Sequence, residues 1–328
     1  MSESFSQELR TALDAVRIAS RICCHVQATL AGEALEKKDQ SPVTIADYAS
    51  QAVICKQIRG RFSQDLIVGE EDAAELRQPD HAEFLKRIVA EIQRIGISAD
   101  PADILNWIDA GHHDATADRY WTLDPIDGTK GFLRKEQFAI SLALLVEKRI
   151  EVAVLACPNL EMPAARGAIL YAVRGNGAWL VPMDRPDAPP QPLSVSSISD
   201  PTQARMCESV ESGHSAHDQS AKVCRQLGIR SASLRMDSQA KYAVLARGDA
   251  DLYLRLPTRP GYEERIWDHA GGVLIVEEAG GRVTDVTGAP LDFAAGPTLK
   301  QNRGVVVTNG HLHDEVIGVL RSVLSSPA

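Results

Sequence analysis

Aromatic side chains are scarce in this 328-residue chain, at 5%, so a core has to be built from Leu, Ile, Val and Ala. An excess of basic charge is lacking too. The formal net charge is −9, which argues against nucleic-acid polymers and anionic membranes as partners. Small phosphorylated ligands remain open, because a bound divalent cation inverts the local field. The six cysteines, Cys23, Cys24, Cys55, Cys157, Cys207 and Cys224, form no C-x-x-C pattern. That removes the usual zinc and redox spacings and leaves reduced thiols in a cytoplasmic protein as the expectation. No apolar run is long enough to span a bilayer. The opening MSESFSQELRTALDAV has no basic segment followed by an apolar one, so no signal peptide is expected.

What is present is ordinary for a globular enzyme: 44% hydrophobic and 24% charged residues, in a chain long enough for one large or two intimate domains. Apolar positions from Leu9 to Leu30 recur at helical spacing, which predicts a helix over about 5–31. A second helix is expected from Thr44, a short buried strand over Leu66–Val68, and a helix over 81–95. The polar, turn-rich GISADPADILNWIDAGHHDATADR reads as a surface loop. Two hairpins follow, one split at Glu147-Lys148-Arg149 and one turning at Gly175-Asn176-Gly177. Five prolines between Pro182 and Pro192 suggest a stiff linker. Beyond it, strands and helices alternate. The expectation is an α/β protein: a layered α+β domain with an antiparallel sheet over 1–190, then an α/β domain over 191–328.

The stretch YWTLDPIDGTKGFLR holds the densest chemistry. Pro125 should stop the strand that begins at Tyr120, leaving Asp124 and Asp127 together at its end. Two carboxylates held this close repel unless a cation lies between them, and hard oxygen donors select Mg²⁺, Ca²⁺ or Mn²⁺ over zinc. Gly128 allows close backbone approach, and the amides of Gly128, Thr129 and Lys130 can cradle a phosphate if a helix opens there. An ordinary acidic turn explains the stretch almost as well in isolation. Glu70-Glu71-Asp72 reads singly as a solvated acidic loop, Asp268 as a helix cap and Asp47 as a solvent-facing helix residue. Together they put acids at four separate turns or helix starts beside buried strands. Paired metal ions in phosphoryl hydrolysis need such a set.

DPIDGTKGFLR, VGEED and WDHAGG resemble the motifs of the lithium-sensitive, Mg²⁺-dependent phosphatases of the inositol monophosphatase superfamily. Fructose-1,6-bisphosphatase is a distant relative of that group, and the resemblance implies its layered sugar-phosphatase fold. Within it, SPVTIADYASQ, ESVESGHSAHDQSA, MDSQAKYAVLARGDADLYLRLP and EERIWDHAGG are similar to the 3′(2′),5′-bisphosphate nucleotidase branch, over roughly residues 40–310. The resemblance implies removal of the 3′-phosphate of adenosine 3′,5′-bisphosphate, and often of its 5′-phosphosulfate analogue, by two or three Mg²⁺ ions, with inhibition by Li⁺. It implies that Glu70, Asp124 and the carbonyl of Ile126 bind one metal, and Asp124, Asp127 and Asp268 another. Asp47 and Thr129 would orient and deprotonate the attacking water. Gly128, Thr129, Asp268, His214, Ser238, Lys241, Arg255 and Tyr262 would hold substrate, with Lys241 and Arg255 near the 5′-phosphate and His214 and Tyr262 toward the adenosine. A monomer acting on a small molecule is expected. Gly271 stands where the family more often has Ala. The stretch from Leu76 to Asp118 has no clear counterpart, and His112 and His113 read as an exposed loop pair. Rival readings are an inositol polyphosphate phosphatase of the same superfamily, for instance acting on inositol-1,4-bisphosphate, and a catalytically silent nucleotide sensor.

Overall fold

Alternation along the strands sorts the apolar residues into three separate cores, and those cores define the layers of this computed structural model. It describes residues 5–29, 35–36, 42–163, 165–185, 187–211, 216–259 and 261–325, with 35–36 and 42–43 as backbone only.

The chain opens with α1 (Ser6–Thr29), a two-strand antiparallel pair β1 (Leu35–Glu36) and β2 (Pro42–Val43), and α2 (Ile45–Arg61). Next come β3 (Leu66–Gly69), α3 (Ala82–Arg94), α4 (Pro101–Asp109), β4 (Arg119–Asp127) and the short α5 (Thr129–Leu133). Then β5 (Ala139–Val146), β6 (Arg149–Met162), β7 (Ala165–Val173), β8 (Ala178–Pro182) and β9 (Gln191–Pro192) follow in sequence. Strands β3 to β9 form a seven-stranded sheet in chain order, antiparallel except for the β3–β4 pair. The second half contributes β10 (Met206–Glu208), α6 (His217–Gln226), β11 (Leu234–Arg235), α7 (Ala240–Ala246), β12 (Leu252–Arg255), α8 (Ala270–Glu278), β13 (Arg282–Thr284), β14 (Val305–Thr308) and α9 (His313–Ser325). Its five-stranded sheet has the order β11-β10-β12-β14-β13, with β10, β11 and β12 mutually parallel.

On β5, Ile140, Leu142 and Leu144 join the core formed with α1 and α2, while Ala139, Ala143 and Leu145 face the other way. That second face packs on α7 and α8, which also cover Tyr253, Val305 and Val307 of the smaller sheet. The smaller sheet's far face, with Met206, Leu252, Leu254 and Val306, packs on α6 and α9. The order of layers is therefore helices, seven-stranded sheet, helices, five-stranded sheet, helices. The two sheets share the middle core, so the smaller sheet is fixed relative to the larger.

Three expectations are corrected. The stretch 96–119 is no plain loop: it contains α4, opened by Pro101 and a reciprocal cap between Asp100 and Asp103. The first half thus carries α4 and the short α5 beyond the three helices expected, and its sheet has one parallel pair rather than being purely antiparallel. Pro125 does not end its strand, since β4 runs on to Asp127 through a register shift between Asp124 and Asp127.

Candidate active site

That shift aims the two aspartates. In a regular strand, residues three apart point to opposite faces. Here Asp124 pairs with Ser141 and Asp127 with Ala139, so three steps on β4 match two on β5. The extra residue is a bulge, which returns Asp127 to the side of Asp124. The bulged backbone is held by the Ser50 hydroxyl on α2, which donates to the Pro125 carbonyl at 2.9 Å.

Parallel pairing of β3 with β4, Gly69 opposite Leu123, brings Glu70 beside Asp124. The Glu70 amide donates to the Leu123 carbonyl at 3.2 Å. Gln51 fixes the same turn. Its Nε2 donates to the Glu71 carbonyl at 2.5 Å and to the Ile108 carbonyl at 3.0 Å, and its Oε1 accepts from the Glu71 amide at 3.0 Å. A Cβ at Gly69 or Gly111 would lie within 2.6–2.7 Å of the Gln51 amide, so both positions leave room for it.

Gly128, at φ +86°, turns the chain from β4 into α5 and sits against Ser238, itself at φ +69°. The turn delivers the Thr129 hydroxyl to 3.4 Å from Asp47 Oδ1 and 3.2 Å from the Ile126 carbonyl. Asp47 is buried, not solvent-facing. Its other oxygen, Oδ2, accepts from the amide and hydroxyl of Thr44 at 2.8 and 2.6 Å, capping α2. One carboxylate oxygen is committed to the cap and the other faces Thr129.

From the second half, Asp268 ends a single helical turn just ahead of α8, with His269 at the cap position. The turn 236–241 closes the crevice: the Gln239 amide donates to Asp127 Oδ2 at 2.5 Å. The Gln239 side chain reaches the Trp267 carbonyl at 2.9 Å, the Ser141 hydroxyl at 3.2 Å and the Gly272 amide at 3.2 Å. Lys241 is buried, with Nζ donating to the carbonyls of Ser238 at 2.7 Å and Met236 at 3.3 Å and lying 5.2 Å from the Tyr253 ring centre. Arg255 is ion-paired to Glu264 (2.8 Å) and donates to Asp268 Oδ2 (3.0 Å). Behind it, Glu264 meets His269 Nε2 at 3.3 Å, and His269 Nδ1 meets the Tyr242 hydroxyl at 2.7 Å.

Electrostatics follow from this packing. Burial first, then Glu70, Asp127, Asp268 and Asp47, push the Asp124 carboxyl well above the usual range. Burial likewise raises Asp127, against the pull of Lys241 and Arg255. Burial lifts Asp268 to about 6 even with Arg255 beside it. Burial also raises Glu264, but Arg255 and His269 outweigh it and bring that group down to about 2. The acids nearest the bulge are thus short of positive charge, whereas Glu264 is fully supplied.

Many of these side chains line one crevice of about 480 Å³, a usual size for a small-molecule site, while Asp47, Glu264 and His269 lie behind its surface. It gathers Glu70, Asp124, Ile126, Asp127, Gly128 and Thr129 on one wall, and Ser238, Lys241, Arg255, Tyr262 and Asp268 on the other. His214 lies outside the described residues. Among the described residues, Glu264, Asp268 and His269 form a tight ligand-like group with atoms within 4.8 Å of one another, but Arg255 already neutralises it. The set around Asp124 offers only oxygens, which fits Mg²⁺. His112 and His113 do not line the crevice. Gln51, Ser50, Gln239, Glu264 and His269 were not singled out by sequence. SPVTIADYASQ and DSQAK contain three of them, and nothing in those strings reveals a hydrogen-bond partner tens of residues away.

Asp124, Asp127 and Asp268, all raised by burial, share this crevice with the cations Lys241 and Arg255, an arrangement that fits a hard cation and an anionic ligand. The inositol monophosphatase family model matches residues 6–325. A 3′(2′),5′-bisphosphate nucleotidase of Schizosaccharomyces pombe is 40% identical over 342 residues, covering 98% of this chain and 97% of that one. One from Emericella nidulans is 40% identical over 355 residues, covering 98% and 99%. Among solved structures, a Thermotoga maritima IMPase superposes with a TM-score of 0.65 at 23% identity, covering 97% and 98%, which shows the shared fold. The chain belongs to the inositol monophosphatase family, whose members are metal-dependent.

Proposed function

We propose that the crevice hydrolyses the 3′-phosphate of adenosine 3′,5′-bisphosphate, giving AMP and inorganic phosphate, with the 5′-phosphosulfate analogue as a second substrate. The observation that carries this reading is the polarity of the crevice: a carboxylate wall with the Thr129–Asp47 pair faces a wall bearing Lys241 and Arg255. The names of the most similar relatives support the choice of substrate.

Glu70, Asp124, the Ile126 carbonyl, Asp127 and Asp268 would hold two or three Mg²⁺ ions. Bound there, Mg²⁺ would neutralise the carboxylates, polarise the phosphoryl group and acidify water. The chain's own part is orientation and proton transfer. The Thr129 hydroxyl accepts a hydrogen bond from the attacking water and passes a proton to Asp47 Oδ1, while the cap from Thr44 keeps that oxygen aimed. Water adds in line to phosphorus as the bond from phosphorus to the 3′-oxygen breaks, and the departing 3′-oxygen takes up a proton to become the ribose hydroxyl. Ser238, Lys241 and Arg255 on the opposite wall fit the 5′-phosphate, and Tyr262 and His214 the adenosine. Li⁺ would inhibit by competing for a Mg²⁺ position.

The reading includes a monomeric, cytoplasmic protein with two functional halves, 1–190 and 191–328. Among the described residues, Val210 is the exposed large hydrophobic, which supports a monomer. The six cysteines are all free, and no helix among the described residues is long and apolar enough to cross a membrane. The test is phosphate release from adenosine 3′,5′-bisphosphate and from inositol-1,4-bisphosphate, with and without Mg²⁺. Mg²⁺-dependent release from the nucleotide with little from the inositol is expected. Preference for the inositol would overturn the substrate assignment, and nucleotide binding without release would make the protein a sensor.

A further inference from the structure

The cations of the crevice differ in what they are already doing. Lys130 holds Glu211 at 3.6 Å, and Arg134, outside the lining, holds Glu211 at 2.6 Å and also Asp237. Lys241 is tied to main-chain carbonyls, and Arg255 to Glu264 and Asp268. Arg259 and Arg265 line the same crevice and have no acidic partner among the described residues. Each instead rests on an aromatic ring, Arg259 on Tyr262 at 5.0 Å and Arg265 on Trp267 at 5.5 Å. In a chain of net charge −9, two arginines left unpaired in one crevice stand out. Their acidic neighbour Glu263 is engaged by the Thr298 hydroxyl at 2.6 Å.

Arg259 also has a definite place in a series. Asp268 contacts Arg255, the Tyr262 phenol lies against the Arg255 guanidinium, and Arg259 stacks on Tyr262. Exposure rises along it: the Arg255 side chain is 13% exposed, Tyr262 half-buried and Arg259 exposed. Moving outward from the metal carboxylates, Arg259 is the next cation after Arg255. Stacking pre-orients a guanidinium and leaves its in-plane N–H groups free for an anion.

We infer that Arg259, seated on Tyr262, is an outer anion subsite. It takes a second anionic group joined by an anhydride bond to the substrate's 5′-phosphate, either phosphoryl or sulfuryl. This rests on the proposed nucleotide reading and extends it: the crevice receives 3′-phosphorylated nucleotides with a longer 5′ anionic chain, and Arg259 sets how strongly they are preferred.

The test measures kcat/KM for release of the 3′-phosphate from three nucleotides: adenosine 3′,5′-bisphosphate, adenosine 3′-phosphate 5′-diphosphate and adenosine 3′-phosphate 5′-phosphosulfate. Wild type, Arg259→Ala and Arg259→Lys are compared. For Arg259→Ala we expect a loss of roughly five- to tenfold on the two extended nucleotides, the range for an exposed charge-assisted contact, and less than twofold on the bisphosphate. Arg259→Lys should recover part of the loss. A loss confined to one extended nucleotide assigns the subsite to that terminal group. Equal losses on all three, or none on either extended nucleotide, overturn the inference. Failure of wild type to release phosphate from any of the three would instead strike the nucleotide reading itself.

Discussion

Thr129 has two acceptors within reach of one hydroxyl, Asp47 Oδ1 and the Ile126 carbonyl. A hydroxyl has one proton to give and two lone pairs to accept with, so donation to either oxygen leaves it able to accept from water. Thr129→Val keeps the shape and removes the relay. We expect kcat to fall about 10²–10⁴-fold, the usual size of a general-base effect, with KM little changed. A large KM change beside a small kcat change would show that Thr129 binds rather than activates. Lys241 carries a double duty, because its ammonium faces Asp127 across the crevice while bonding the turn that donates to Asp127. Lys241→Met keeps the stem and loses the charge. The expected result is a ten- to hundredfold loss of kcat/KM on adenosine 3′,5′-bisphosphate, from a charge-assisted contact of about 1.5–3 kcal/mol, and a smaller loss on 3′-AMP. Equal losses would assign Lys241 to the turn alone.

At the scale of elements, the site depends on how closely α8 approaches its neighbours. A Cβ at Gly272 would meet the Tyr242 ring at 2.3 Å. Tyr242 in turn bonds His269, the residue after Asp268. Gly272→Ala should therefore destabilise by about 1–3 kcal/mol, as overpacking does, and lower activity by shifting Asp268. At Gly60 in α2, an added methyl group would meet nothing within 4 Å, so Gly60→Ala should stabilise by about 0.5–1 kcal/mol. Thermal unfolding of the two variants checks the contrast. The same scale shows what the sequence could reveal. The long apolar periodicities of α1 and β5 were legible, and so were the acids after buried strands. α4 was not, because its capping pair Asp100 and Asp103 lies in a polar stretch whose buried residues, Ile104 and Ile108, are few. The bulge at Pro125 was not legible either: proline predicts a strand end, and only the Ser50 bond and the β5 register make a bulge the better solution.

For the whole molecule, the crevice joins two sheets through a shared middle core and concentrates like charge where they meet. The sign of its pH dependence is fixed by the direction of the shifts. Asp268 is raised from an ordinary 3.8 to about 6, mainly by burial, and Asp124 and Asp127 are raised as well. Groups whose folded pKa exceeds the unfolded value weaken the metal-free fold when ionised. For Asp268 that penalty is relieved as pH falls from about 6 toward 4. Mg²⁺ competes with those protons, so the rise in Tm on adding it should be larger at pH 7.5 than at pH 5.0. Equal shifts at both values would place Mg²⁺ elsewhere.

Asp127 is where the walls meet, as it belongs to the carboxylate set and accepts the Gln239 amide from the opposite side. Asp127→Asn preserves that acceptor and removes the charge. The most direct test of the account is phosphate release from adenosine 3′,5′-bisphosphate by wild type and Asp127→Asn across a Mg²⁺ titration, with folding checked by thermal unfolding. Turnover should need Mg²⁺ in wild type and be lost in a variant that still folds. Near-normal Mg²⁺-dependent turnover by Asp127→Asn would contradict it.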